Sequence, residues 1–277
     1  MKETKKIIEE LKQRRNRPRI GLALSGGGAF GIAHVGVLKL LEEIGLPIDI
    51  IVGTSAGALV GGFWASGISS KKMYRIGKQT EWWFLAKPIV FKSGLMSSSG
   101  IEKWVNRIIY NKKFSDLELD FAAVATDFST GELVVLNKGS LAKAMRISCT
   151  VPGIYQPVKY YGRLLVDGGL VQNLPAEVCR NLGADLLIGV DLHSDLIENE
   201  VPKTVVLSLI HAATILQRQH EIAQLKYVDV LIQPKVGRLS QISFKAVDEF
   251  VELGYIAASK ALQDLNEALL LIEKADS

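Results

Sequence analysis

Ser55 sits where an apolar run beginning at Ile48 meets Gly53-Thr54-Ser55-Ala56-Gly57 and passes into small residues of helical character. Buried strand, sharp turn and helix, in that order, form the elbow that lifts a serine hydroxyl above a parallel sheet as a nucleophile. Gly53 and Gly57 suit so tight a turn, because a side chain at either would collide with a neighbouring strand or helix. The helix expected over 56–66 points its amino end at Ser55 and favours negative charge developing there. Five residues of this pattern also arise by chance, so the serine is significant only if the chain supplies an oxyanion site and a base.

The oxyanion candidate is Ser25-Gly26-Gly27-Gly28-Ala29-Phe30-Gly31, after the apolar strand 21–24. Gly26, Gly28 and Gly31 also fit the dinucleotide pattern G-x-G-x-x-G, with Asp49 about 20 residues on. Such a fold has no use for a Gly-Thr-Ser-Ala-Gly turn on its second strand. Asp49 moreover precedes that strand instead of closing it. Backbone N–H groups offered to an oxyanion are the better reading of the two, and a plain tight turn is the third.

For the base, Asp127, Asp167, Asp191, His193, His211 and His220 lie downstream of Ser55, and His34 lies upstream. A Ser55–Asp191–His211 triad would follow α/β-hydrolase order. However, His211 and His220 fall in a helical segment, where surface histidines are the simpler explanation. Asp167 closes the apolar strand Leu164-Leu165-Val166 and precedes Gly168 and Gly169. A carboxylate there becomes an adequate base if burial raises its pKa and it reaches the serine hydroxyl. Asp-Gly-Gly is equally a common turn, and the residues alone leave both readings open.

These candidates need elements to carry them. Helical periodicity over 32–44, stopped by Gly45 and Pro47, joins strand 21–24 to strand 48–52, giving a βαβα unit with a parallel sheet. Further strands are expected at 119–127, 133–136, 185–190 and 228–232. A hairpin over 159–166 turns at Tyr161-Gly162. Helices are expected at 101–110, 141–147, 175–182, 208–226 and through 244–274. Residues 67–118 are less regular, and the apolar cluster Trp82, Trp83, Phe84, Ile89, Val90, Phe91 and Leu95 reads as a mobile cover or as core.

The 277 residues, 48% hydrophobic and 22% charged, suffice for one large α/β domain with a substantial core. No apolar run approaches the ~18 residues of a transmembrane helix, and the first residues lack the apolar region of a secretory signal. Cys149 and Cys179, in apolar segments without metal-type spacing, read as buried free thiols. The expected location is the cytoplasm, with peripheral membrane association as the alternative.

Residues 1–20 carry eight Lys/Arg and three Glu, so this arm holds +5 of a net +4 and the remainder is about −1. Ile7, Ile8 and Leu11 share a helical face. A solvated helix packed on the body is the simpler reading; transient contact with anionic lipid is the alternative. Nucleic-acid binding is disfavoured because no aromatic residues interleave with the basic ones. The arm is assigned to 1–19, the main domain to 20–262 and a helix end to 263–277. The C-terminal helix, with Phe250, Leu253, Ile256, Leu262 and Leu265, either packs on the core or forms a homodimer contact.

In order, SGGGAFGIAHVGVL, VGTSAGAL, ATDFSTGE, SCTVPGIYQPV, VDGGLVQNLP and GADLLIGVDL resemble the patatin-like phospholipases, over roughly residues 20–262. The resemblance implies a three-layer α/β/α fold with a mainly parallel sheet. It implies Ser55 as nucleophile and Asp167 as general base, without a histidine, and the Gly26, Gly27 and Gly28 amides as oxyanion hole. No metal or cofactor is implied. Implied substrates are phospholipid, lysophospholipid or another fatty acyl ester; a low-turnover regulatory or scaffolding protein of the same fold is the alternative. Phe30 stands where the family usually carries Arg or Lys, and Ser25 where it often carries Asp, which bears on loop anchoring and substrate preference.

Overall fold

In the computed structural model, residues 1–14, 16–80, 87–92, 94–195, 205–241 and 243–275 are described. Trp82, Trp83 and Phe84 lie outside them, as do the side chains of Ile89, Val90, Phe91 and Leu95.

The chain starts with helix α1 (Lys2–Lys12), then β1 (Ile20–Leu24), α2 (Ala33–Ile44), β2 (Ile50–Thr54) and α3 (Ala56–Ala65). Gly45 ends α2 in the left-handed conformation, as the sequence leads one to expect. The irregular stretch holds helix α4 (Ser70–Gln79) and strands β3 (Lys87–Lys92) and β4 (Gly94–Ser97). Next come α5 (Ser99–Ile109), β5 (Asp120–Asp127), β6 (Leu133–Leu136), α6 (Leu141–Ser148) and β7 (Gly153–Tyr155). The hairpin is β8 (Val158–Tyr160) and β9 (Arg163–Asp167), then α7 (Ala176–Asn181) and β10 (Leu186–Val190). Helix α8 (Val205–Gln224), β11 (Val230–Ile232), α9 (Val247–Lys260) and α10 (Leu262–Ala275) complete it.

The central sheet runs β11-β10-β1-β2-β5-β9-β8, with β6 along the other side of β5; β3, β4 and β7 form a small second sheet. Strands β11, β10, β1, β2 and β5 are mutually parallel. Their residues alternate between two cores. Leu22, Leu24, Ile51 and Ala123 join the large core beneath α1, α2, α3, α5, α6 and α10. Ala23, Val52, Ala122 and Val124 face the smaller core under α7. This is the three-layer α/β/α arrangement. The first crossover leaves β1 toward β2 while β10 lies on its other side, so the carboxyl end of β1 is a switch point, where α/β sheets bind ligands.

Helix α1 packs against α2 and α10, with Ile8 and Leu11 essentially inaccessible. The apolar face that could have lain on lipid is therefore spent inside the protein. Leu265 and Leu269 of α10 are buried likewise, so this helix packs on the core. Leu11→Ala should cost about 2–5 kcal/mol in urea unfolding, the range for emptying a buried leucine site. An arm lying free of the body would leave stability unchanged. No helix among the described residues is long and apolar enough to cross a membrane.

Candidate active site

The loop after β1 and the turn after β2 open at the same sheet edge, and the glycines set how closely they meet. A Cβ on Gly31 would strike Ala56, one on Gly57 the Leu24 carbonyl, and one on Gly53 the Gly57 carbonyl. Ser55 occupies the apex with φ 53° and ψ −119°, a conformation costly for any residue with a Cβ and held here by its surroundings. Its N–H donates to Ser148 Oγ at 2.9 Å, and its carbonyl accepts from Cys149 Sγ at 3.2 Å.

Asp167 reaches Ser55 through strand geometry that no local pattern announces. One side of β5 pairs with β2 as far as Thr54↔Val124, and the same side pairs with antiparallel β9 from Ala125↔Asp167 onward. The carboxyl ends of β2 and β9 therefore meet head to head along β5. The Asp167 N–H donates to the Thr150 carbonyl at 2.8 Å, and Thr126 Oγ1 donates to the Asp167 carbonyl at 2.9 Å. A Cβ on Gly168 would strike the Val124 carbonyl, and the Gly169 N–H donates to Asp167 Oδ1 at 2.8 Å.

The Ser55 hydroxyl is close enough to the Asp167 carboxylate to favour its charged form. Burial pushes the Asp167 pKa up to about 6, while the nearby Ser55 hydroxyl and the hydrogen bond from the Gly169 amide hold it down. The serine thus faces a carboxylate that is ionised at neutral pH yet more basic than an exposed aspartate.

In the glycine loop, the Gly26 N–H donates to the Asn173 carbonyl at 3.1 Å. The amides of Gly27 and Gly28 make no hydrogen bond among the described residues. Gly28 adopts φ +57°, which glycine takes without strain, and lines the same cavity as Ser55. The Cβ position of Gly26 lies 3.2 Å from the Ser55 Cβ, which places the loop against the serine. Of the three amides expected to face an oxyanion, Gly27 and Gly28 remain unspent.

Both departures in this loop have structural accounts. Phe30 is buried against Phe250, ring centroids 6.1 Å apart, so apolar packing anchors the loop where a cation is usual. Ser25 Oγ accepts from the Leu192 N–H at 3.1 Å. His34 Nε2 donates to the Ser25 carbonyl at 2.8 Å, and burial lowers the His34 pKa to about 4, so it supports the loop as a neutral group.

From Ser55 a cavity of about 200 Å³ extends between α2, α3, α4 and α5, walled by Leu59, Val60, Phe63, Met73, Ile76 and Trp104. Its lining is almost wholly apolar. It suits a hydrocarbon chain whose polar end lies at the serine.

The competing constellations do not form. Asp49 is paired with Arg17 at 2.6 Å at the amino end of β2, the sheet edge opposite the glycine loop. Asp191 accepts from Arg218 at 2.7 Å, and His211 and His220 are exposed on α8. Asp127 caps its own turn by accepting from the Ser129 N–H at 3.0 Å. The sequence reading missed the site supports Ser148, Cys149 and Thr150. Their only local signal is a run of small polar residues at the end of α6.

Comparison with known proteins places the chain in a family. The patatin-like phospholipase family model matches residues 22–180. The mouse patatin-like phospholipase domain-containing protein 6 is 34% identical over 186 residues, covering 63% of this chain and 14% of that protein. Lysophospholipase nte1 of Emericella nidulans is 28% identical over 279 residues, 89% of this chain and 18% of that protein. An uncharacterized NTE family protein of Mycobacterium tuberculosis is 29% identical over 88% of this chain and 46% of its own length. The chain thus spans less than half of each of these relatives. Among solved structures, human GIVD cytosolic phospholipase A2 superposes with a TM-score of 0.56 at 10% identity, covering 99% of this chain and 63% of that one. VipD from Legionella pneumophila gives 0.54 at 15% identity, covering 90% and 67%. These two likenesses concern the fold; the family match spans residues 22–180, more than half of the chain, and by it the chain belongs to the patatin-like phospholipase family.

Proposed function

We propose that this protein is a lipid acyl hydrolase acting on fatty acyl esters of the phospholipid or lysophospholipid kind. Ser55 is the nucleophile and Asp167 the general base. The observation that carries this reading is a Ser55 hydroxyl beside the buried Asp167 carboxylate, whose pKa is raised to about 6, with Ser55 itself lining an apolar cavity. As Ser55 Oγ attacks the ester carbon, its proton passes to Asp167. The carbonyl oxygen becomes an oxyanion, received by the Gly27 and Gly28 amides. Collapse breaks the C–O bond to the alcohol, which leaves with the proton from Asp167, and the acyl group stays on Ser55. Water then gives a proton to Asp167 and its oxygen to the acyl carbon. Collapse frees the fatty acid and returns the proton to Ser55.

The reading is tested by intact-mass labelling with a long-chain alkyl fluorophosphonate. A single adduct is expected on the wild type, absent from Ser55→Ala and slowed in Asp167→Asn. No adduct on folded wild-type protein would overturn the reading and favour the low-turnover regulatory alternative.

A further inference from the structure

Behind the glycine loop, on the side away from the cavity, lies a buried polar cluster that the proposed reaction does not use. His193, Glu221, Asn173 and Asp191 are each at most 2% exposed. The His193 Nδ1–H donates to Glu221 Oε1 at 2.9 Å, and Asn173 Nδ2 donates to the same oxygen. With Nδ1 as donor, Nε2 faces Gln241 Nε2 at 3.5 Å and accepts from it. Asp191 Oδ1 accepts the His193 N–H at 2.9 Å, and Arg218 spans Asp191 and Glu221 at 2.7 and 3.4 Å.

The residues gathered around this imidazole are those that hold the loop. The Asn173 carbonyl takes the Gly26 N–H at 3.1 Å, and the Gln241 carbonyl takes the Ala29 N–H at 2.8 Å. The Leu192 N–H, one residue before His193, donates to Ser25 Oγ. The Phe30 ring meets the His193 ring edge to face at 6.5 Å. Gly27 and Gly28 lie between the tethered residues Gly26 and Ala29. Their amide directions therefore depend on how far apart the Asn173 and Gln241 carbonyls are held, and the His193 side chain joins those two segments. Two carboxylates are fully buried here beside a partly exposed Arg218, an arrangement that is often no more stable than apolar groups of equal volume.

We propose that His193, seated on Glu221, is a positioning residue that sets the spacing of the Asn173 and Gln241 tethers and so aims the Gly27 and Gly28 amides at Ser55. The effect on rate rests on the acyl-hydrolase reading above; the effect on the amides does not. The test pairs glycine-selective 15N spectra with kinetics per fluorophosphonate-titrated Ser55. In His193→Ala the Gly27 and Gly28 amide resonances are expected to move while those of Gly131 and Gly162, in distant turns, stay. The kcat should fall about 10- to 100-fold, the scale of an ångström-sized misplacement, with KM changed less than about threefold. Glu221→Ala should behave alike, and Glu221→Gln, which keeps an acceptor for both donors, should retain kcat within about threefold. Should His193→Ala fail to fold, Gln241→Ala removes the contact to Nε2 along with side-chain packing at Gly28, and the Gly27 resonance, which Gln241 does not touch, is still expected to move.

Unmoved Gly27 and Gly28 resonances in a folded variant overturn the proposal. So does an unchanged kcat per titrated site. A loss as deep as that of Ser55→Ala with unmoved amides would make His193 a proton carrier and overturn it too. Amides that move in a protein whose wild type hydrolyses no ester would leave the positioning intact and remove the enzymatic reading.

Discussion

Ser55→Ala is expected to lower ester hydrolysis by about 10⁴- to 10⁶-fold, the scale seen when a serine nucleophile is removed from an intact site. Alanine keeps the Cβ, so the cost of the backbone at φ 53° is the same in variant and wild type. The Ser148 bond to the residue 55 amide and the Cys149 bond to its carbonyl involve main-chain atoms and survive. The loss should therefore appear with unchanged circular dichroism. The variant also removes the hydroxyl that holds the Asp167 pKa down, so this carboxyl should titrate above its wild-type value of about 6. A short-chain p-nitrophenyl ester assay on the purified variant checks the rate. Retention of more than about 1% of wild-type activity would contradict the proposed chemistry, since the amides alone cannot supply a nucleophile.

Asp167→Asn separates function from stability with opposite signs. As an amide, residue 167 cannot take the Ser55 proton, and activity should fall about 10³-fold or more, a lost general base being worth about 10²–10⁴. In the wild type, kcat/KM should rise about tenfold per pH unit below a pKa of about 6 and level off above it. Stability runs the other way. The folded carboxyl titrates near 6 and the ordinary value is 3.8, so the folded state binds this proton more tightly. Its contribution is fully present below the ordinary value, is lost as pH rises through about 6, and corresponds to about 3 kcal/mol across that window. Asparagine carries no charge to desolvate, and its Oδ1 can still accept from the Gly169 amide. The variant should thus melt several degrees above the wild type at pH 8, with the difference vanishing near pH 4. Paired melting curves across pH decide it. A difference independent of pH would mean that Asp167 is not ionised against burial in the native state.

Much of the frame was legible because it is written in local patterns. The elbow strand, the helix ended by Gly45 and Pro47, the hairpin at Tyr161-Gly162 and the strand 185–190 all follow from periodicity and turn chemistry acting over a few residues. So do the glycines: small residues at 53 and 57 announce a close approach before the neighbour is known. Helix α4 was missed because Ser70–Gln79 is short and mostly polar, and its Gly77 weakens the pattern. The ambiguity of the arm was inherent, since Ile7, Ile8 and Leu11 make the same stripe for lipid or for α10; burial assigned it.

The sequence by itself determined the candidate site residues and the elements that present them, because a strand–turn–helix elbow and a glycine loop are local backbone devices. Tertiary structure alone decided which carboxylate Ser55 meets. Asp127 and Asp167 end strands and Asp191 directly follows one, and only the end-to-end abutment of β2 and β9 along β5 brings one of them to the serine. It also decided which loop amides stay free, since the Gly26 amide is taken by a carbonyl 147 residues away in the chain, at Asn173. Hydrogen bonds across such separations, and the burial that raises the Asp167 pKa, arise only when distant segments pack, so no window of sequence contains them.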